Sequence, residues 1–215
     1  MDKLLFTPKQ MDIPQNLVLI PFFWDTAYYS RLKEKALASL ELFGSEIVMF
    51  DNYTLLVGFL GYPHLLTHLE FIKDVKEKEV FFLGTAGSMN EEIAEPTSLD
   101  VETIYSTAIL DYFCEAKSFP LKTFDCGHLR KARGVTVDII QRETSSWLLE
   151  QVRRGMEFVE MEIFPLRAYL GKPFHAVVVT TDLLKATGIV LFPNKKRLLE
   201  EFVKSYELII DAIGN

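Results

Sequence analysis

Cysteine is almost missing from this 215-residue chain: Cys114 and Cys126 are the only two, and they lack CxxC spacing. A redox or metal motif built on paired cysteines is thereby excluded, and a reduced, cytoplasmic protein is the simplest expectation. Basic charge is also short. Lys and Arg number 23 against 30 Asp and Glu, a formal net charge of −7, which argues against an extended surface for the phosphates of a nucleic acid polymer. The local cluster Arg130, Lys131 and Arg133 is read either as a small anion site or as a solvated loop. No apolar run reaches the roughly 18 residues that span a bilayer. Residues 1–10 carry charges and a proline where a secretory leader would have its apolar stretch, so no membrane partner is expected. Histidine is sparse as well, four in all. His64 and His68 stand at i and i+4 on an expected helix, but no third ligand lies near them, and no metal is expected.

What is present points to a globular α/β chain. Hydrophobic residues make up 49% and charged residues 25%, proportions of a folded domain with a sizeable core. Seventeen Phe are a heavy aromatic load suited to a core or a subunit interface. Residues 17–23 read as a buried first strand. Residues 29–42 repeat apolar side chains at Leu32, Ala36, Leu37 and Leu40, a helical spacing closed by Gly44. Residues 46–50 and 53–59 flank Asp51-Asn52 as a hairpin. A helix is expected from Pro63 to about Val75, with Leu65, Leu66, Leu69 and Ile72 on its apolar face. Residues 80–83 form a compact strand that opens into a small-residue loop, Gly84-Thr85-Ala86-Gly87-Ser88, where backbone amides can approach a ligand. Strands over 132–140, 158–161 and 174–180 alternate with helices over 144–152, 162–170 and 195–213. Thr144 or Ser145 caps the first of these helices, and Pro165 falls in the first turn of the second. Residues 1–215 read as a single domain with a mixed central sheet.

The most informative stretch is Val159-Glu160-Met161-Glu162, followed by the apolar run that ends in Thr181-Asp182. It sets two carboxylates, Glu162 and Asp182, at the ends of two apolar segments separated by one short helix. Open α/β sheets bind ligands at the carboxyl ends of their strands. Taken in order, Gly84-Thr85-Ala86-Gly87, Thr136-Val137-Asp138 with Gln141-Arg142-Glu143-Thr144, Gly155 with the Val-Glu-Met-Glu run, and Thr181-Asp182 resemble the nucleoside phosphorylase and nucleosidase superfamily. That group includes purine nucleoside and uridine phosphorylases, methylthioadenosine/S-adenosylhomocysteine nucleosidase and futalosine hydrolase. The resemblance covers roughly residues 46–190.

The resemblance implies a three-layer Rossmann-like α/β sandwich with a mixed central sheet that cleaves the bond between a base and a ribose. On this pattern Asp182 is the catalytic acid that protonates the base. Glu162 and Met161 lie on the sugar, with Glu162 accepting from its 2′ and 3′ hydroxyls. Gly84, Thr85, Ala86 and Gly87 border the ribose and nucleophile, and Ile140 stands where an aromatic side chain usually stacks on the base. Glu160 joins the substrate-binding set by its place in the motif, with a solvent-facing or structural role as the plainer reading. No cofactor is implied, and phosphate is a co-substrate only if the reaction is phosphorolytic. The partner is a small-molecule nucleoside, and relatives assemble as dimers, trimers or hexamers.

Two departures bear on the reaction. Phe82 stands where the phosphorylases carry a phosphate-binding Arg. After the first strand the chain reads Pro21-Phe22-Phe23-Trp24-Asp25-Thr26, with no Glu to activate water; Asp25 is the nearest carboxylate. The phosphate ligand lost at Phe82 favours hydrolysis over phosphorolysis, and the missing Glu means that activation of the nucleophile is altered. A nucleoside-binding or regulatory module that kept the pocket and lost turnover is the alternative.

Overall fold

The computed structural model describes residues 10–107, 115–125, 129–138 and 143–214. Ile140, Cys114 and Cys126 lie outside the described residues. Strand β1 (Asn16–Ile20) is apolar after Asn16 and lies mid-sheet, parallel to β4 (Tyr53–Val57) on one side and to β5 (Glu79–Ser88) on the other. Beyond β4 come β3 (Ser45–Met49) and the edge strand β2 (Ala38–Leu42), both antiparallel to their neighbours. On its far side β5 pairs in parallel with β10 (His175–Lys185), and its last residues pair with β9 (Phe158–Glu160). Strand β10 also pairs with β6 (Ser98–Ser106), β6 with β8 (Arg130–Thr136), and β8 with β9. These five strands, β5, β10, β6, β8 and β9, thus close into a ring at one end of a mixed sheet. Two short strands, β7 (Ser118–Pro120) and β11 (Gly188–Leu191), attach to β6 and β10.

Alternation along the central strands divides the core between the two faces of the sheet. Leu17, Leu19, Leu56 and Phe82 pack on Leu65 and Leu69 of α2 (Gly61–Leu69) and on Phe164 and Leu166 of α4 (Ile163–Leu170). Val18, Ile20, Leu55 and Phe81 face the other way, onto Phe202, Tyr206 and Ile209 of α5 (Lys195–Gly214) and Tyr28 and Tyr29 of α1 (Thr26–Lys33). Burying each such side chain contributes roughly 1.5–3 kcal/mol. Helix α3 (Ser145–Arg153) begins at Thr144, whose hydroxyl caps it by accepting from the Trp147 amide at 3.3 Å. No helix among the described residues is long and apolar enough to cross a membrane.

Three expectations need correction. The helical spacing over 29–42 is broken: α1 stops at Lys33, and residues 38–42 form β2. Gly44 closes no helix. With Phe43 it makes a hairpin turn in which both residues have positive φ, 50° and 80°, the geometry that matches strand twist. Pairing with the exposed edge of β3 outweighs the helical pattern, and leaves Leu37 and Leu40 facing solvent. The small residues 84–88 form no loop: β5 runs through them, paired with β10 along their length and with β9 at Gly87 and Ser88. Finally, the strand expected over 174–180 continues as β10 to Lys185 and turns back as β11, so Asp182 lies within a strand that enters a hairpin.

Candidate active site

The Val-Glu-Met-Glu run is held by its own first carboxylate. Glu160 ends β9 with 4% of its surface exposed. One oxygen accepts from the amides of Glu162 and Ile163 at 2.6 and 2.7 Å. The other accepts from the Thr136 hydroxyl at the end of β8. Thr136 Oγ1 accepts in turn from the Phe164 amide at 3.1 Å, and Pro165 has no amide to satisfy. The otherwise unpaired donors at the start of α4 are therefore served by two neighbouring strands. Glu160 is neither solvent-facing nor free to grip a ligand through both oxygens. It braces the turn that aims Met161 and Glu162.

That bracing frees Glu162 from the capping role open to it at the start of a helix. It occupies the N-cap position of α4 but makes no side-chain cap. Its carboxylate instead reaches the first turn of α2 and accepts from the Gly61 amide at 3.0 Å. Gly61 has φ +67°, a conformation that side chains resist and that turns its amide toward the carboxylate. Burial is the main force raising both acids above the ordinary carboxylate range. For Glu160 the nearby Glu162 charge adds to it, and for both the hydrogen bonds they accept work against it.

Asp182 owes its position to a bulge. Across the β5–β10 ladder Thr180 faces Ala86 and Asp182 faces Gly87, so Thr181 is an extra residue. Such an insertion re-aims the side chain that follows. The Thr181 hydroxyl contacts Asp182 Oδ1 at 2.6 Å. Burial pushes the Asp182 carboxyl upward, and the Thr181 hydrogen bond opposes it. Gly87 is required here: a Cβ would come within 2.3 Å of Leu184 and 3.2 Å of Asp182.

These groups meet in one hollow of about 490 Å³ at the carboxyl ends of β1, β4, β5, β9 and β10. Thr85, Ala86, Gly87, Glu160, Met161, Glu162 and Asp182 all border it. Gly84 does not. A Cβ there would lie 2.5 Å from the Phe82 ring, so its smallness makes room for a core aromatic, not for a ligand. Pro21, Phe22, Phe59 and Leu60 add an apolar wall, and Ile189 and Leu191 of β11 add another. Glu143 also borders the hollow, a residue that the sequence motifs contain but that no periodicity singles out. Burial, then the charge of Asp182, push its carboxyl up to about 7. Among the described residues lining the hollow none is Lys, Arg or His.

The other candidates disperse. Asp25 caps α1 by accepting from the Tyr28 amide at 2.8 Å, and does not border the hollow. Arg130 pairs with Glu157 and Glu92, and Arg133 lies over the Tyr105 ring at 5.2 Å and donates to its hydroxyl. Those two residues are engaged, and the anion-site reading loses its cluster. Both ring nitrogens of the fully buried His68 lie within 2.8 Å of backbone oxygens. Among the described residues no group of three His, Cys, Asp or Glu side chains could hold a metal.

No protein-family model matches the sequence, and no curated protein matches it. Solved structures do match its backbone. A nucleosidase (MTAN) from Chlamydia trachomatis bound to MTA is 14% identical, covers 94% of this chain and 100% of its own, and superposes with a TM-score of 0.65. The 5′-methylthioadenosine/S-adenosyl homocysteine nucleosidase of Campylobacter jejuni is 12% identical, with coverages of 92% and 97% and a TM-score of 0.68. Purine nucleoside phosphorylase from Toxoplasma gondii, in complex with immucillin-H, is 15% identical, with coverages of 95% and 94% and a TM-score of 0.65. The chain has the nucleosidase and nucleoside phosphorylase fold. Within that fold the Val-Glu-Met-Glu turn and the bulged end of β10 face each other across one cavity, whatever the low identity has done to the rest of the wall.

Proposed function

We propose that this chain, as one domain over 1–215, cleaves the N-glycosidic bond of a purine-type nucleoside. The observation that carries the reading is the hollow shared by Glu162 and Asp182. Cleavage builds positive charge on the sugar and negative charge on the departing base. Asp182, held partly buried so that its neutral form persists, donates its proton to the base as the C1′–N bond breaks and the electron pair leaves with the base. Glu162 accepts from the ribose hydroxyls and gains strength as charge develops on the ring. Met161 and Thr85 flank the sugar. Water then adds its oxygen to C1′, and the proton it loses restores Asp182. Hydrolysis is favoured over phosphorolysis because the described wall offers no cation for phosphate and Phe82 is packed in the core at 1% exposure. No cofactor is part of the reading. A three-layer sandwich is, with α2 and α4 on one face and α1 and α5 on the other.

The second reading is a nucleoside-binding module without turnover. It is favoured by Asp25, which is spent on α1, so that the segment after β1 brings only Pro21 and Phe22 to the cavity. One assay divides the two. Purified protein is incubated with a nucleoside panel, with and without phosphate, and free base is measured. Release without phosphate supports the nucleosidase, and release only with phosphate a phosphorylase. Calorimetric binding without release supports the module, and neither binding nor release removes both.

A further inference from the structure

Among the described acids that line the cavity, Glu143 is the one given neither a chemical step nor a bracing role above. Its place is fixed from two sides. The following residue, Thr144, caps α3, and the hydroxyl of Ser145 donates to the Ala186 carbonyl just beyond β10 at 2.7 Å. The start of α3 is thereby fastened to the end of the strand that carries Asp182. Leu184 borders both the cavity and a smaller adjoining hollow, and so does Glu143. Glu143 therefore enters the cavity from the side of Asp182.

Among the described residues, other charged groups around the pair are few. Glu160 and Glu162 come from the β9–α4 turn. Lys185, from β10, borders the adjoining hollow but is exposed, so its charge is screened by solvent. The described residues that β1, β4, β5 and β11 bring to the cavity carry no charge. Two carboxyl groups in a partly buried hollow, with no Lys, Arg or His among the described residues that line it, resist being ionised together.

Resting on the nucleosidase reading, we propose that Glu143 is a positioning residue for the acid step: with Asp182 it forms a two-carboxyl pair that retains one proton through neutral pH, so that Asp182 is supplied with the proton it delivers to the base. The atoms balance simply. The pair begins with one proton and gives it to the departing base through Asp182. It regains one from the attacking water. The pair's titration belongs to both groups jointly. Burial raises both carboxyls, and the charge of Asp182 raises Glu143 further.

The test is the pH profile of base release, measured with the nucleoside that the panel identifies, for the wild type, Glu143→Gln and Glu143→Asp. In Glu143→Gln the mutual charge is gone and Asp182 titrates as a single group. Its rate should stay within about twofold of wild type near pH 5 and fall about tenfold or more below it near pH 8, the alkaline limb moving down by about one unit. Glu143→Asp should restore the limb. A uniform loss at every pH, or an unchanged limb in Glu143→Gln, overturns the pair. The second readout needs no turnover. Carbon-13 carboxyl titration of the unliganded protein follows Asp182 directly. Its midpoint should be biphasic in wild type and become single and lower in Glu143→Gln; a midpoint that does not move overturns the proposal. If no nucleoside is cleaved, the nucleosidase reading fails while this titration still decides the pair.

Discussion

At the residue scale, the site depends on a division of labour between two glutamates two positions apart. Glu160 accepts the amides that open α4, and Glu162 is thereby released to reach Gly61 and the cavity. Asp182 faces them from a bulged strand. Replacing Asp182 by Asn removes the transferable proton while keeping the shape. Base release should fall by about two powers of ten or more, with nucleoside affinity and thermal stability near wild type. Turnover within a few-fold of wild type would remove Asp182 from the mechanism. Both carboxylates, and Thr85, Ala86 and Gly87, are legible in the sequence as motif positions, and the fold brings them to the border of one cavity. Gly84, expected beside the ribose, lies away from the cavity, and Glu160 takes the structural role that is its plainer reading. A glycine that clears a ring for Phe82 and an acid that caps a helix look no different, in one dimension, from ligand contacts. Glu143 is missed for the opposite reason. A lone acid before a helix N-cap carries no periodicity, and only the fold brings it beside Asp182.

At the scale of elements, the segment after β1 has been diverted from the cavity to building α1. Asp25→Ala should cost about 0.5–2 kcal/mol in a denaturant titration through loss of the cap, and leave base release unchanged. A large fall in release with stability intact would return Asp25 to the site. Gly134 in β8 lies against the Phe158 ring, so close that a Cβ would sit 2.1 Å from it. Gly134→Ala should therefore destabilise by about 1–3 kcal/mol, and by shifting β9 it should weaken base release as well; a variant as stable as wild type would show that the ring has room to move. Helices with a clean amphipathic face or a cap, such as α3 and α5, are legible in sequence. Strands β2, β6 and β11 are not. Strand β2 carries a helical spacing that edge pairing overrides, β6 buries Asp100 within its apolar run, and β11 is exposed throughout and shows no alternation to read.

At the scale of the whole molecule, two buried acids make stability depend on pH. Glu160 and Glu162 titrate higher in the fold than the ordinary carboxylate value of 4.5. A carboxyl raised on folding binds more protons in the native state than in the unfolded chain, so its contribution is complete below about 4.5 and is lost as pH rises through the raised values. The melting temperature should fall between about pH 5.5 and about pH 8.5, and Glu162→Gln should flatten that fall; an equal slope in the variant would mean that other groups set it. The apolar rim, with Phe22 at 57%, Leu60 at 82% and Leu191 at 74% exposure, is large for a surface left to water. A homo-oligomer that covers it is the expected state, and light scattering that returns a monomer across micromolar concentrations would count against it.

The ring of strands has a consequence for synthesis. Strand β5 is complete by Ser88, yet its neighbour β10 begins at His175. More than eighty residues must leave the ribosome before the two can join. Pairings so distant in sequence make for slow assembly, and the nascent chain spends that interval with the apolar flank of β5 uncovered. A chaperone able to shield one bare strand would find its client in this window, and ligand could not rescue the protein until nearly all of it had been made.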